Sequence, residues 1–268
     1  MTELSLPATR KRFDDDAYLT RCDATVVAVL PEGIVLDETV CYARSGGQAG
    51  DTGTMTLPDG TAIALAETVY APGRAAVLHV PADPAAAALG GLAAGTRVTV
   101  AIDWSRRHRL MRLHTCLHLL GSLIPVPVTG CSISPDSARI DFDLPESTLD
   151  KTELGERLNA LIAADSPVRV DRISRAELAA QPELVRTIGA APPEGMESIR
   201  IIEIPGIDRQ PCGGTHVARV GEIGPIAIGK IEKKSRTNRR IVVAFASAAR
   251  AEDAPATAGQ NPATRAAA

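Results

Sequence analysis

The sequence predicts an antiparallel, barrel-like β domain followed by an α+β domain. Three observations carry this: short β-rich runs fill residues 23–103, a strongly apolar helix pattern begins abruptly at Trp104, and strands and helices alternate beyond it. In the first stretch, ATVVAVL, GIVLDETVCY, TMTL, AIALAETVY, AAVLHV and TRVTVAI are punctuated by PEG, PDG and PAD turns. The segment SRRHRLMRLHTCLHLLGSLI then places Leu113, Leu117, Leu120 and Ile124 at helical spacing, with Asp103 or Ser105 as its cap. CSISPDSARIDFDL reads as β, LDKTELGERLNALIAAD as an amphipathic helix and PVRVDRI as a strand. A short helix around Arg175 to Leu184 and the strands SIRIIEI, GPIAIGKIEK and RRIVVAFA complete the pattern. The expected division is a β-rich domain at 1–103, an α+β domain at 104–248 and a disordered tail at 249–268, where small, polar and proline residues dominate.

The chain has 268 residues and 45% apolar composition, enough for roughly one or two domains with ordinary cores. Its net charge of −3 means that any nucleic-acid contact must come from local basic patches. Five scattered cysteines, Cys22, Cys41, Cys116, Cys131 and Cys212, argue against a disulfide framework and for a reducing compartment. The N-terminus lacks a signal-like apolar region, and the run AAAALGGLAAG is too short to span a bilayer. A soluble cytoplasmic protein is expected.

The chemistry concentrates in two short motifs. His114 and His118 stand four apart on the strong helix, which puts both imidazoles on one face. Far along the chain, QPCGGTHV places Cys212 four positions before His216, with Gly213 and Gly214 to let the loop turn. Either pair alone fits a packed histidine pair or a buried thiol. Together they use three of the five histidines in two pairs of matching spacing, and their mixed nitrogen and sulfur donors suit Zn²⁺. Thr115 stands where a zincin protease carries its glutamate, so proteolysis of that kind is not expected. Four ligands fit a closed structural site, whereas catalytic sites usually keep one position open; spacing leaves both readings standing.

DWSRRHRLMRLHTCLHLL, PVTGCSISPDSARIDFDLP, GIDRQPCGGTHV and EIGPIAIGKIEKKSRTNRR together resemble the freestanding alanyl-tRNA editing proteins of the AlaX group, in the longer form with an extra N-terminal domain. The resemblance runs from about Tyr18 to Phe245. That group is similar to the editing domain of alanyl-tRNA synthetase and, more distantly, to the second additional domain of threonyl-tRNA synthetase, so the same α+β fold is implied here. It implies a zinc ion on His114, His118, Cys212 and His216, and hydrolysis of the ester joining serine, or glycine, to alanine tRNA. Such an enzyme is useful because a pocket rejects small side chains poorly on size alone. The resemblance also assigns Thr129, in PVTG, to recognition of the serine hydroxyl; read by itself, it is a turn threonine before Gly130.

Asp141, Asp208 and Gln210 are candidates for supporting the ligands or positioning water, with surface charge or a strand's solvent face as the plain alternative. Arg106, Arg107, Arg109 and Arg112 lead into the helix, and Lys230, Lys233, Lys234, Arg236, Arg239 and Arg240 form a second basic group. Both groups are candidates to hold tRNA phosphates, with a solvated face as the plain alternative, and an aromatic content of 3% favours backbone recognition over base stacking. Gly46, Gly47 and Gln48 spell GGQ, where the AlaX group carries a longer glycine-rich motif implied to assist editing or specificity. Ala43, Arg44, Ser45 and Ala49 depart from that motif, and Ser235 replaces a usual glycine in the basic loop. Substrate preference is therefore more open than reaction class. The rivals are a noncatalytic tRNA-binding module stapled by zinc and a hydrolase of another aminoacyl-tRNA.

Overall fold

The computed structural model describes residues 6–85, 91–145, 149–188 and 197–246. The N-terminal arm holds strand β1 (Arg10–Lys11) and helix α1 (Arg12–Asp15). Strands β2 (Arg21–Leu30), β3 (Gly33–Leu36), β4 (Glu38–Thr39), β5 (Gly53–Thr56), β6 (Ala62–Tyr70), β7 (Val77–Pro81) and β8 (Arg97–Ile102) follow. Six of them close an antiparallel barrel in the order β2-β3-β7-β6-β5-β8, while β1 and β4 pair as a small parallel ribbon. Closure removes sheet edges. Period-two alternation turns Val98, Val100 and Ile102 inward from β8, where they meet Val26, Leu36, Met55, Ile63 and Leu65.

Helix α2 (Trp104–Leu123) starts one residue after Asp103, whose side chain accepts a hydrogen bond from the Arg106 amide. The apolar stripe expected from spacing is present, but Leu110, Met111, Cys116 and Leu119 are buried as well. The helix is central because it packs against both flanking units. It meets β9 (Val128–Ile133), β10 (Ser137–Asp143), α3 (Lys151–Ala163) and the strand that leads into the CGGTH loop. The remaining elements are β11 (Arg169–Ser174), α4 (Arg175–Ala179), β12 (Ser198–Ile204), β13 (Asp208–Pro211), β14 (Ile226–Lys233) and β15 (Asn238–Phe245). β14 and β15 join β10 and β9 in an antiparallel four-stranded sheet, β14-β15-β10-β9, and the other strands make a three-stranded sheet, β11-β12-β13. The helix expected over Arg175 to Leu184 ends at Ala179 and resumes as one 3-10 turn at Pro182–Leu184, since proline cannot continue the ladder. β13 and a 3-10 turn at Val220–Ile223 were not legible as separate elements.

Barrel and helix are stitched by a buried ion pair. Arg107 grips the Asp51 carboxylate through Nε and Nη2, both side chains being fully buried; Nη2 also donates to the Val40 carbonyl and Nη1 to the Ala17 carbonyl. Trp104 packs against both large cores, and its ring stacks on His108. Tyr18 from the N-terminal arm donates to Glu222, 2.8 Å away. All five cysteines are free thiols. No helix among the described residues is long and apolar enough to cross a membrane. The segment 249–268, expected as a disordered tail, lies outside the described residues.

Candidate metal centre

His114 and His118 lie one turn apart on α2 and point toward the loop that follows β13. That loop is anchored where the Cys212 amide donates to the Arg200 carbonyl, which continues the ladder between β12 and β13. The ligand atoms of His114, His118, Cys212 and His216 all lie within 4.8 Å of one another. Cys212 Sγ is 3.5 Å from His114 Nε2 and 3.3 Å from His216 Nε2. Those separations match the edges of about 3.3 to 3.7 Å that a tetrahedron built from ordinary zinc–nitrogen and zinc–sulfur bonds would have. The donor set and spacing therefore fit a metal ion.

Each imidazole is oriented from behind through its Nδ1. His114 donates to Gln48 Oε1 at 2.7 Å and His118 to Asp208 Oδ2 at 2.7 Å. His216 donates to Thr115 Oγ1 at 3.1 Å, because the Thr115 hydroxyl gives its own proton to the Met111 carbonyl. With Nδ1 turned to a supporting group in all three rings, the Nε2 atoms face the common centre, the arrangement expected of supported metal ligands. Burial pushes the Cys212 thiol up, but His114 and His216 beside it reverse this and hold it well below its ordinary value. Burial, reinforced by His114, depresses His216 to about 3. Burial opposes charge on His118 too, yet its bonds to Asp208 and Cys212 carry it up to about 10. Asp208, although buried, is drawn below the usual carboxylate range by His118.

Glycine serves this centre differently from the sequence expectation. Neither Gly213 nor Gly214 has a left-handed φ. Gly214 is needed because a Cβ there would lie 2.1 Å from the His114 ring, whereas Gly213 has open space. In the GGQ turn both glycines do take positive φ, 55° at Gly46 and 82° at Gly47. A Cβ on Gly47 would also sit 2.6 Å from the Cys131 carbonyl. This close approach lets Gly47 O accept from the Ile133 amide and docks the turn against β9. Gln48, fully buried, then reaches His114, and also binds Thr215 through the Thr215 amide and hydroxyl. Gln48 and Thr115 as ligand supports were missed in the sequence, where nothing local marks a partner 66 or 101 positions away.

A cavity of about 550 Å³ opens over the cluster. His114, His118 and Cys212 meet Thr129, the Gly46–Gly47 turn and Arg186 there, and Gln210 and Arg200 also line it. Thr129 is exposed on its wall, and its hydroxyl accepts from the Asn238 amide at 2.7 Å. Gln210 supports the cluster indirectly by donating to Asp208 at 2.8 Å. Asp141 does not join the centre as expected. Its carboxylate is occupied by Arg139 and Arg240, which holds it on the β10–β15 ladder.

The basic groups separate likewise. Arg107 is buried against Asp51 and offers nothing to a phosphate. Arg109 and Arg112 lie over the Phe245 ring and donate to the carbonyls of Pro135 and Ile223, and Arg106 reaches the Gly50 carbonyl. This first cluster knits elements together, since arginine forks satisfy backbone carbonyls as well as anions. In the second, Arg239 turns inward to Pro145 O and Arg240 is engaged by Asp141. Lys230, Lys233, Lys234 and Arg236 remain exposed on the β14–β15 hairpin, Lys234 pairing with Glu232.

Residues 199–242 match the family model described as threonyl and alanyl tRNA synthetase second additional domain. The chain is 35% identical to an alanyl-tRNA editing protein AlaX-M of Methanosarcina acetivorans, over 84% of this chain and 94% of the relative. It is 33% identical to an AlaX-M protein of Saccharolobus solfataricus, over 87% and 97% of the two chains. An alanine–tRNA ligase of Halorubrum lacusprofundi is 35% identical over 93% of this chain, which spans 27% of that enzyme.

Proposed function

Because this chain belongs to the AlaX-M alanyl-tRNA editing proteins, we propose that it is a zinc-dependent hydrolase that removes serine, and to a lesser degree glycine, from mischarged alanine tRNA. The observation that carries the reading is the convergence of His114, His118, Cys212 and His216, the first three of which line a cavity large enough for an aminoacylated nucleoside. Zinc bound there supplies positive charge beside the ester and a fixed frame for the Cys212–His216 loop.

The rest of the work falls to the chain's own side chains. Thr129 has its oxygen engaged by Asn238, which leaves its hydroxyl proton to be donated to the side-chain oxygen of serine. An alanyl ester offers no acceptor, so its binding leaves that donor unpaired, and the correct product is spared. Gln210 lines the cavity with its amide nitrogen committed to Asp208; its carbonyl oxygen is the acceptor that orients the hydrolytic water. The Gly46–Gly47 turn forms the wall opposite, and its tight packing on β9 limits the room for larger side chains. Outside the cavity, Lys230, Lys233, Lys234 and Arg236 face the acceptor arm's phosphates, and Asn238 ties their hairpin to Thr129.

The test is deacylation of seryl-, glycyl- and alanyl-tRNA carrying the alanine acceptor stem, by the zinc-loaded protein and by Cys212→Ala. Release of serine in preference to alanine, lost in a folded Cys212→Ala protein, is the expected result. Binding of the tRNA without release of any amino acid would instead support a noncatalytic module, and release from an unrelated tRNA set would redirect the substrate.

A further inference from the structure

Arg200 sits on β12, nine-tenths buried, and lines the same cavity. Its Nη1 donates to the carbonyls of Cys212 at 2.9 Å and Gly214 at 2.7 Å, so the guanidinium lies directly behind the ligand-bearing loop. No carboxylate among the described residues forms an ion pair with it. Its cross-strand neighbour is another cation, Arg172. Nε is buried with no partner, and Nη2 is not engaged by any described residue. A buried guanidinium with donors left unpaired is costly. Arg186, the other arginine on this wall, is already committed: Nη1 to Asp208 and Nη2 to the Gly121 carbonyl.

We propose that Arg200 is an anion-binding residue that receives the phosphate on the 5′ side of the terminal nucleoside of an aminoacyl-tRNA. This rests on the reading given above, and it follows from the substrate's chemistry. Near the scissile ester the amino group is cationic and the ribose and base are neutral. The nearest anion is that phosphate, one bond sequence away along the ribose. A guanidinium fork suits phosphate oxygens better than a point charge does. One nitrogen fixes the loop while the other takes the ligand, so the phosphate contact and the metal-ligand loop share one side chain.

Two arms test this with the metal-loaded protein. In the first, binding of AMP and of adenosine is measured by calorimetry or by NMR shift titration, without any hydrolysis. AMP should bind about tenfold more tightly than adenosine to the wild-type protein, and the ratio should fall to about one in Arg200→Met and in Arg200→Gln. The glutamine variant keeps an amide donor for the loop carbonyls and serves if the methionine variant does not fold. A merely structural Arg200 would weaken both ligands alike, leaving the ratio unchanged. An unchanged ratio, or absence of any AMP preference in the wild-type protein, overturns the proposal. In the second arm, 3′-O-seryl-adenosine and its 5′-phosphate are compared as substrates, and the phosphate's advantage in kcat/KM should vanish in the same variants. If neither ester is hydrolysed, the editing reading fails, whereas the AMP ratio still decides the anion site.

Discussion

Gln48 Oε1 accepts the Nδ1 proton of His114 at 2.7 Å, so a residue on a loop of the barrel fixes a ligand on the central helix. The amide also holds Thr215, next to His216, and thereby touches both halves of the candidate metal centre. Removing it frees the His114 ring to rotate and to change tautomer. Gln48→Ala is expected to lower metal affinity about 10- to 100-fold, read by competition with a chromogenic chelator. Gln48→Glu keeps an acceptor and should lose less. Equal affinity in Gln48→Ala and wild type would show that the ligand is held by packing alone.

The Asp51–Arg107 pair joins the barrel to the same helix and is fully buried. Taking away one partner leaves an unpaired buried charge, so Asp51→Ala should destabilise the fold by about 3–5 kcal/mol. Chemical denaturation of wild type, Asp51→Ala and the double variant Asp51→Ala/Arg107→Met measures it. The double variant is expected to recover part of the loss. A cost below about 1 kcal/mol for the single change would mean that water enters the junction.

Exposed cations on the β14–β15 hairpin should carry a salt-dependent share of tRNA affinity. Lys233→Ala combined with Arg236→Ala removes two charges and should reduce the slope of log K against log salt by about 1.5. Fluorescence anisotropy over a salt series gives the slope. An unchanged slope would move the acceptor arm to another face.

His79 offers a pH test in the barrel, remote from the metal ligands. It is wholly buried between Thr39 and the Ile34 carbonyl, and burial depresses its pKa to about 4, against an ordinary 6.5. A depressed folded value means that the unfolded chain takes up a proton first. The neutral buried ring's contribution is therefore complete above about pH 6.5 and declines as pH falls toward 4. Between pH 7 and pH 5 the decline should be about 2 kcal/mol. Denaturation curves for wild type and His79→Gln at both pH values isolate it, and parallel behaviour of the two proteins would show that His79 protonates freely in the folded state.

Periodicity made the outline readable. The alternation of Val98, Val100 and Ile102 specifies a half-buried strand, and the Leu113, Leu117 and Leu120 spacing specifies a helix, because both repeats are set by backbone geometry within a few residues. His114 and His118 were legible as a pair for the same reason, and Cys212 with His216 for their closeness in the chain. The arginines misled: a run of cations before a helix looks like a phosphate surface, yet Arg107, Arg109 and Arg112 are consumed by Asp51 and by backbone carbonyls. Asp141 misled in the same way, its charge neutralised across the ladder by Arg240.

The sequence by itself determined the element types, the two ligand pairs and the glycine-rich turn. Each depends on chain-local sterics, spacing or side-chain chemistry. Tertiary structure alone decided which groups stand behind the ligands: Gln48 behind His114, Asp208 behind His118 and Thr115 behind His216. It also decided that Arg200 would be buried at the cavity without a carboxylate partner. A hydrogen bond acts over about 3 Å, and which groups come that close across 66 or 101 positions is fixed by how the barrel, helix and sheets pack, not by any short pattern in the chain.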